Sequence, residues 1–417
     1  YMNLRLLAGK SLKSRRSTAI LTIVSIAVSV ILLLGVEKVR VNAKSSFANT
    51  ISGTDLIVGA RSGSIQLLLY SVFRIGSATN NITWKSYQDI AQQKGVKWTI
   101  PISLGDSHQG FRVMGTSRDY FSVYQYGEKR TLKFSSGSQF EGVFDAVIGS
   151  EVANTLNYSI GDQVIISHGT GSASFAQHKD KPFVISGILE HTGTPVDRTM
   201  HVSLAGIEAM HVNWQGAMKK RKAKKALTES NLQPESITAF LVGLDSKIVS
   251  FKMQRYINDY AAEPLLAIFP GIALHELWSL MSVAEQALLI ISLFVVVAAL
   301  TGMLAVSLAG LNERRREVAI LRSVGASHWH IMGLLITETV LLTMIGIIIG
   351  LIMLYSSIWV AQPLIEKNYG LFIPITAPNV RELGMISVLL AASFLVGLVP
   401  AYFAYKNSLA DGMSVRS

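Results

Sequence analysis

Half of this 417-residue chain is hydrophobic and 16% is charged, a mixture too apolar for an ordinary soluble domain and too charged for membrane spans alone. The absence of cysteine excludes a disulfide scaffold, so any water-facing part must be held by an apolar core. The net charge of +11 comes with no aromatic-interleaved basic fold or nucleic-acid motif, and nucleic acid is not an expected partner.

Residues 1–16 carry Arg5, Lys10, Lys13, Arg15 and Arg16 with no acid among them, and read as an amphipathic cytoplasmic segment. The first apolar run, Ser17 to Val36, follows. About 20 uncharged residues at 1.5 Å rise cross a hydrocarbon core of ~30 Å, so 17–36 is expected to be the first transmembrane helix. The run is too long for a signal-peptide core and lacks a small-x-small cleavage site, which makes it a retained anchor.

Residues 37–286 then read as one large water-facing α+β domain, of one or two subdomains, with long membrane-proximal helices at either end. Ser62 to Gly76 is apolar but too short to span, and is expected to pack inside the domain. Helices are expected at Trp84 to Gln93 and Lys252 to Ala262. Asp145 to Leu156 reads as a strand end running into a short helix, Ser159 to Ser167 as a turn leading into a strand, and Lys181 to Leu189 and Ile237 to Leu244 as further strands. The basic run Lys219 to Lys225 reads as a solvated loop, with anionic lipid headgroups as the alternative contact.

Three more uncharged runs complete the chain: Ala287 to Leu311, Thr339 to Trp359 and Gly384 to Tyr405. They place transmembrane helices at 287–311, 331–359 and 384–405, an external loop at 360–383 and a tail at 406–417. Lys and Arg near short flanks are retained in the cytoplasm. Arg314, Arg315, Arg316 and Arg322 between the second and third runs, with Lys406 and Arg416 after the fourth, therefore put both termini inside and residues 37–286 outside. Long translocated domains escape this rule, so Lys219 to Lys225 is no objection. Glu338 stands at the edge of the third run, where a carboxylate must face another helix.

Between the second and third runs, at 312–330, a helix over Glu313 to Ser323 would leave Arg314, Arg315, Glu317 and Arg322 in water and Val318, Leu321 and Val324 free for a partner or the bilayer edge. Gly325 would end it, as glycine does past a helix C-terminus. No G-x-x-x-x-G-K-[ST], H-E-x-x-H or G-x-S-x-G pattern occurs, so the sequence gives no ground for an enzyme. Seven of the nine histidines lie in the water-facing part. Imidazole with carboxylate is the usual zinc ligand set of a cysteine-free protein, and His168, His178 and His191, near candidate strand ends, are the set that neighbouring strands would bring together.

The segment Asn312-Glu-Arg-Arg-Arg-Glu-Val-Ala-Ile-Leu-Arg-Ser-Val-Gly-Ala326 strongly resembles the cytoplasmic helix of the MacB/FtsX family of ABC transporter permeases. The layout of one span, a large domain and three spans is similar too. So are Ile148 to Leu156, Ile160 to Ile166 and Phe183 to Ile188, which resemble that family's periplasmic core, and Pro400 to Asp411, which resembles its C-terminal ending. The resemblance implies an inner-membrane homodimer, or heterodimer with a sister permease, working with a separate ATPase that holds the ATP and magnesium. Glu313, Arg314, Arg315, Arg316, Glu317, Arg322 and Gly325 would then couple to that ATPase. ATP-driven closure would be carried by stiff helices to the external domains, for export or extraction of a periplasmic or membrane substrate, with a periplasmic adaptor and membrane lipid among the expected partners. The alternative is a non-transporting permease that activates a cell-wall hydrolase or sensor.

Overall fold

The structure is a computed structural model that describes residues 16–169, 181–216, 232–323, 325–369 and 375–411. His178 and the run Lys219 to Lys225 lie outside the described residues. Two compact units divide the chain: residues 1–42, 282–364 and 373–417 form one, and 43–281 with 365–372 the other.

The first unit is helical. Helix α1 (Arg16–Asn49) leads into the second unit's elements: β1 (Leu56–Ala60), α2 (Ser64–Ser71), α3 (Trp84–Ala91), β2 (Val96–His108), β3 (Phe111–Thr116), α4 (Asp119–Val123), β4 (Phe134–Gly137), β5 (Asp145–Ile148), α5 (Ser150–Leu156), β6 (Phe183–Leu189), β7 (Thr199–Ser203), α6 (Leu204–Gly216), β8 (Ala239–Leu244), α7 (Ser250–Asn258) and β9 (Leu265–Ile268). Three long helices follow: α8 (Pro270–Ser323), α9 (His328–Tyr369) and α10 (Val380–Asp411).

Four stretches of these helices are long and apolar enough to cross a membrane: Arg16–Asn42, Pro270–Gly310, Trp329–Gln362 and Val380–Ala404. They contain the first and third apolar runs whole, and the second and fourth up to their last residues, Leu311 and Tyr405. Helix α9 is the packing centre. A Cβ added at Gly346 would lie 2.8 Å from the Ile26 side chain of α1, and one at Gly350 2.8 Å from Val30 and 2.9 Å from the Ala27 carbonyl oxygen. The four-residue spacing of Gly346 and Gly350 puts both on one face, and removing their side chains lets two backbones approach in a medium that offers no hydrophobic drive. Gly397 of α10 meets Thr339 of α9 in the same way, at 3.2 Å.

The second unit is built on a mixed sheet of 11 strands. Its main order is β9-β1-β8-β2-β3-β7-β5-β6-β4, with the short strand Ser167–His168 on β2 and Gln163–Val164 on β6. Pairs β7·β3 and β6·β5 are parallel, and the remaining neighbours on this path are antiparallel. Both faces are covered, which is why β1, β7 and β8 are buried along their whole length. The apolar stretch Ser62 to Gly76 becomes α2, and Leu67, Leu68, Tyr70, Val72 and Phe73 enter the core beside Ile57, Ile100 and Ile102. This is the internal packing role that its length implied.

The close α9–α1 contact yields a direct test. Gly350→Val should destabilise the purified protein by about 1–3 kcal/mol, the usual cost of overpacking, in denaturant unfolding in detergent. Gly384→Val, where an added Cβ meets nothing within 4 Å, should not. Equal effects of the two substitutions would contradict the packing described.

Candidate functional site

Charges are concentrated where α1 emerges from its apolar run. Glu37 has 0% exposure and accepts from two arginines, Arg40 Nη1 one turn on and Arg381 Nη1 of α10, each at 3.2 Å. Arg40 also donates through Nε to Glu285 of α8 at 2.8 Å. Lys38, 4% exposed, pairs with Glu382 of α10 at 3.6 Å, donates to the Thr376 carbonyl oxygen at 3.2 Å and sits 5.3 Å from the centre of the Tyr355 ring of α9. The Tyr355 hydroxyl donates to the same Thr376 carbonyl at 2.9 Å. Glu382 is fixed in turn by the start of its own helix: it accepts from Asn379 N–H at 3.1 Å, and its own N–H donates to the Asn379 side chain at 2.8 Å. That reciprocal pair is a capping box. The cluster thus joins one end of α1 to α8, α9 and α10.

Glu37, Lys38, Arg381 and Glu382 drew no expectation from the sequence. The signal available is an oppositely charged pair beside each of two apolar runs, Glu37-Lys38 directly after the first and Arg381-Glu382 one residue before the fourth.

Towards the other end of the bundle Glu338 of α9 is buried and lines a cavity of about 40 Å³ with Thr18 and Thr22 of α1, Ser307 of α8, Thr339 and Pro400. The carboxylate therefore faces other helices, as its place in the sequence required. Pro400 lies inside α10, where it removes one backbone hydrogen bond.

The segment 312–323 is helical, but it is not a separate helix. It is the last part of α8, which runs from Pro270 through Ser323 as 54 residues. No proline or glycine stands between Leu311 and Ser323, so nothing interrupts the amide ladder where a loop boundary was expected. Glu313, Arg314, Arg315, Arg316, Glu317 and Arg322 all fall on this extension. Gly325 adopts a φ of 94°, the left-handed geometry that ends helices, and α9 starts three residues later at His328.

Two of the three candidate zinc-ligand histidines, His168 and His191, lie among the described residues. His168 Nδ1 is 2.7 Å from Asp106 Oδ1, held there by the pairing of Ser167–His168 with β2. His191 Nδ1 is 3.1 Å from Asp197 Oδ2, a carboxylate that also accepts from the Thr192 and Gly193 amides. Each imidazole thus has its own carboxylate, and among the described residues no group of three His, Cys, Asp or Glu side chains is placed to hold a metal.

The comparisons with known proteins fall on these same elements. Residues 19–238 match the family model of the MacB-like periplasmic core domain, and residues 289–409 that of the FtsX-like permease C-terminal domain. The chain belongs to the MacB/FtsX family of ABC transporter permeases. Among solved structures, it is similar to the periplasmic region of MacB from Actinobacillus actinomycetemcomitans, at 10% identity and a TM-score of 0.35, covering 55% of this chain and 94% of that one. It is similar also to the extracellular domain of the noncanonic ABC-type transporter YknZ from Gram-positive bacteria, at 14% identity and a TM-score of 0.30, covering 52% of this chain and 99% of that one. No curated protein sequence matches it. MacB/FtsX permeases are inner-membrane components of ABC transporters that work with ABC ATPase partners, and the four candidate spans and mixed-sheet domain are the architecture of such a permease.

Two outcomes follow from this geometry. Glu37→Gln should cost about 3 kcal/mol of stability by leaving buried donors without their carboxylate, whereas Arg381→Gln, which alters a side chain 64% exposed, should cost under about 1 kcal/mol. Denaturant unfolding of both variants in detergent checks this, and equal losses would contradict it. The Asp106 hydrogen bond raises the pKa of His168 above its ordinary 6.5 despite opposing desolvation. A raised folded-state pKa gives stability that is fully present below the unfolded value and is lost as pH rises through the folded one. The stability gap between wild type and His168→Asn should therefore be widest below pH 6.5 and narrow at higher pH; a gap that widens with pH would reverse the assignment.

Proposed function

We propose that this chain is the permease subunit of an ABC transporter in which a separate ATPase moves the sheet domain through α8, driving export or extraction of a substrate on the outer side of the inner membrane. The observation that carries this reading is the continuity of α8. Its 54 residues amount to about 80 Å of helix at 1.5 Å per residue, ending at one side in the arginine-rich extension and beginning at the other directly after β9. A single helix transmits displacement along its length, because bending it requires breaking or lengthening backbone hydrogen bonds.

In this mechanism the residues 313–323 bind the ATPase, with Arg314, Arg315 and Arg316 as its electrostatic contacts and Gly325 setting the turn into α9. Closure of two ATPase copies on ATP draws together the ends of two permeases, identical or sister chains. The charged cluster at Glu37 and Lys38 makes α1 follow α8 and α10. Both termini are cytoplasmic, and the sheet domain handles the substrate without passing it between the spans. Catalysis resides in the ATPase.

Purified alone, the protein should hydrolyse no ATP. Reconstituted with its cognate ATPase, the triple reversal of Arg314, Arg315 and Arg316 to Glu should lower coupled hydrolysis about tenfold or more, equivalent to ~1.4 kcal/mol or more, while membrane insertion stays intact. Reporter fusions supply the orientation: one at Lys222 should be active only outside the cytoplasm and one at the C-terminus only inside. Unchanged hydrolysis in the triple variant, or the opposite reporter pattern, would reject the mechanism.

A further inference from the structure

Arg74 follows α2 with a φ of 60°, in the left-handed region that a bulky side chain rarely enters, and Gly76 continues the turn at 79°. Strain of this kind persists where the surroundings over-determine it. The result is a guanidinium held in the protein interior beside the Tyr120 hydroxyl: Nε and Nη1 are buried without an acceptor in hydrogen-bonding geometry, and Nη2 donates to the Met114 thioether of β3, a weak acceptor. Two further buried polar atoms without partners belong to its neighbours, the Tyr120 hydroxyl and His201 Nε2. Tyr120 stacks on Tyr124 at 4.9 Å and on His201 at 5.1 Å. The other imidazole nitrogen of His201, Nδ1, lies 3.3 Å from the Val147 carbonyl oxygen. Nδ1 thus carries the proton, leaving Nε2 as an acceptor.

Nothing around this guanidinium supplies a negative charge. Burial and the Arg74 charge push His201 down to about 3, so it is neutral at physiological pH. Burial pushes Tyr120 up to about 12 although Arg74 pulls the other way, so its hydroxyl keeps its proton. Arg112, whose Nη2 donates to the Gly76 carbonyl at 2.9 Å, adds a second positive charge whose pKa is depressed by burial and by Arg74. Asp197 influences Tyr120 and Tyr124, but its oxygens are taken by Thr192, Gly193 and His191. Among the described residues Arg74 forms no ion pair. A buried ion without a partner is destabilising by several kcal/mol, and an apolar residue in its place is commonly more stable. An arginine kept in that state at a strained position has the attributes of a ligand anchor.

We propose that Arg74 anchors a binding site for a small monocarboxylate in the sheet domain, with the Tyr120 hydroxyl as a second contact and the Tyr120 and Tyr124 rings as apolar wall. A guanidinium suits a carboxylate because it offers several donors in one plane. A monoanion matches the one fully buried guanidinium, Arg112 being partly exposed, and a phosphate dianion would demand far more desolvation among aromatic rings. The chain beside the anchor reaches the surface, with Ile75 53% exposed, so the body of the ligand need not be buried. This site stands independently of the coupling mechanism.

The test uses the full chain in non-ionic detergent, with thermal unfolding followed as sodium acetate replaces sodium chloride at constant ionic strength. Wild type should gain melting temperature with a saturable midpoint, since a ligand that binds only the folded state stabilises by mass action. Arg74→Met should not respond to acetate, and in chloride alone should melt higher than wild type. Tyr120→Phe, which keeps the ring, should respond with a midpoint several-fold higher. Equal responses of wild type and Arg74→Met, or no wild-type response, would overturn the proposal. A saturable shift with inorganic phosphate and none with acetate would overturn the carboxylate assignment. If Arg74→Met fails to fold, Tyr120→Phe decides: an unchanged midpoint counts against the site.

Discussion

Glu37 is a carboxylate shut away from solvent, and a buried charge must be paired. It meets that requirement with Arg40 and Arg381, and through Arg40 with Glu285, so a single carboxylate ties one end of α1 to α8 and α10. Lys38 completes the set through Glu382 and Tyr355. Helices in lipid have no hydrophobic drive to associate, so the bundle relies on close backbone approach in its middle and on these charges at its end. Gly346 and Gly350 provide the approach. The two devices are complementary: the glycines fix the spacing and the charges fix the register.

In the proposed mechanism a bundle fixed in this way moves as one body with α8. Its extension through Ser323 carries the sequence that most clearly marks the family, and the left-handed turn at Gly325 is the first break in the helix after Pro270.

Much of this was readable from the sequence, for physical reasons that differ from element to element. The spans were legible because about 20 uncharged residues have few other uses. Strands β5, β6 and β8 were legible from short apolar runs bounded by turns, α3 and α7 from their amphipathic spacing, and the turn at Gly325 from glycine alone. Strand β7, Thr199-Met-His-Val-Ser203, was not, because three of its five residues are polar and yet all are buried in the centre of the sheet. Nor was β3, where Arg112 interrupts the run. The charged cluster was hidden because its members are 345 positions apart at the extremes, between Glu37 and Glu382, and only folding brings them together. The carboxylate partners of the histidines were hidden for the same reason: strand register gives His168 to Asp106 and loop geometry gives His191 to Asp197.

The central claim is that α8 behaves as one stiff element while the ATPase cycles. The chain has no cysteine, so paired spin labels can be placed without background sites. Labels at Val283, which is 71% exposed, and Ala309 span 26 residues of α8, or about 39 Å at 1.5 Å per residue. In the transporter reconstituted with its ATPase, pulsed electron–electron resonance should give one narrow distance near that value, the same without nucleotide and with ATP trapped. A shorter or broadened distance on ATP binding would show that the helix bends or breaks, and would contradict transmission through it.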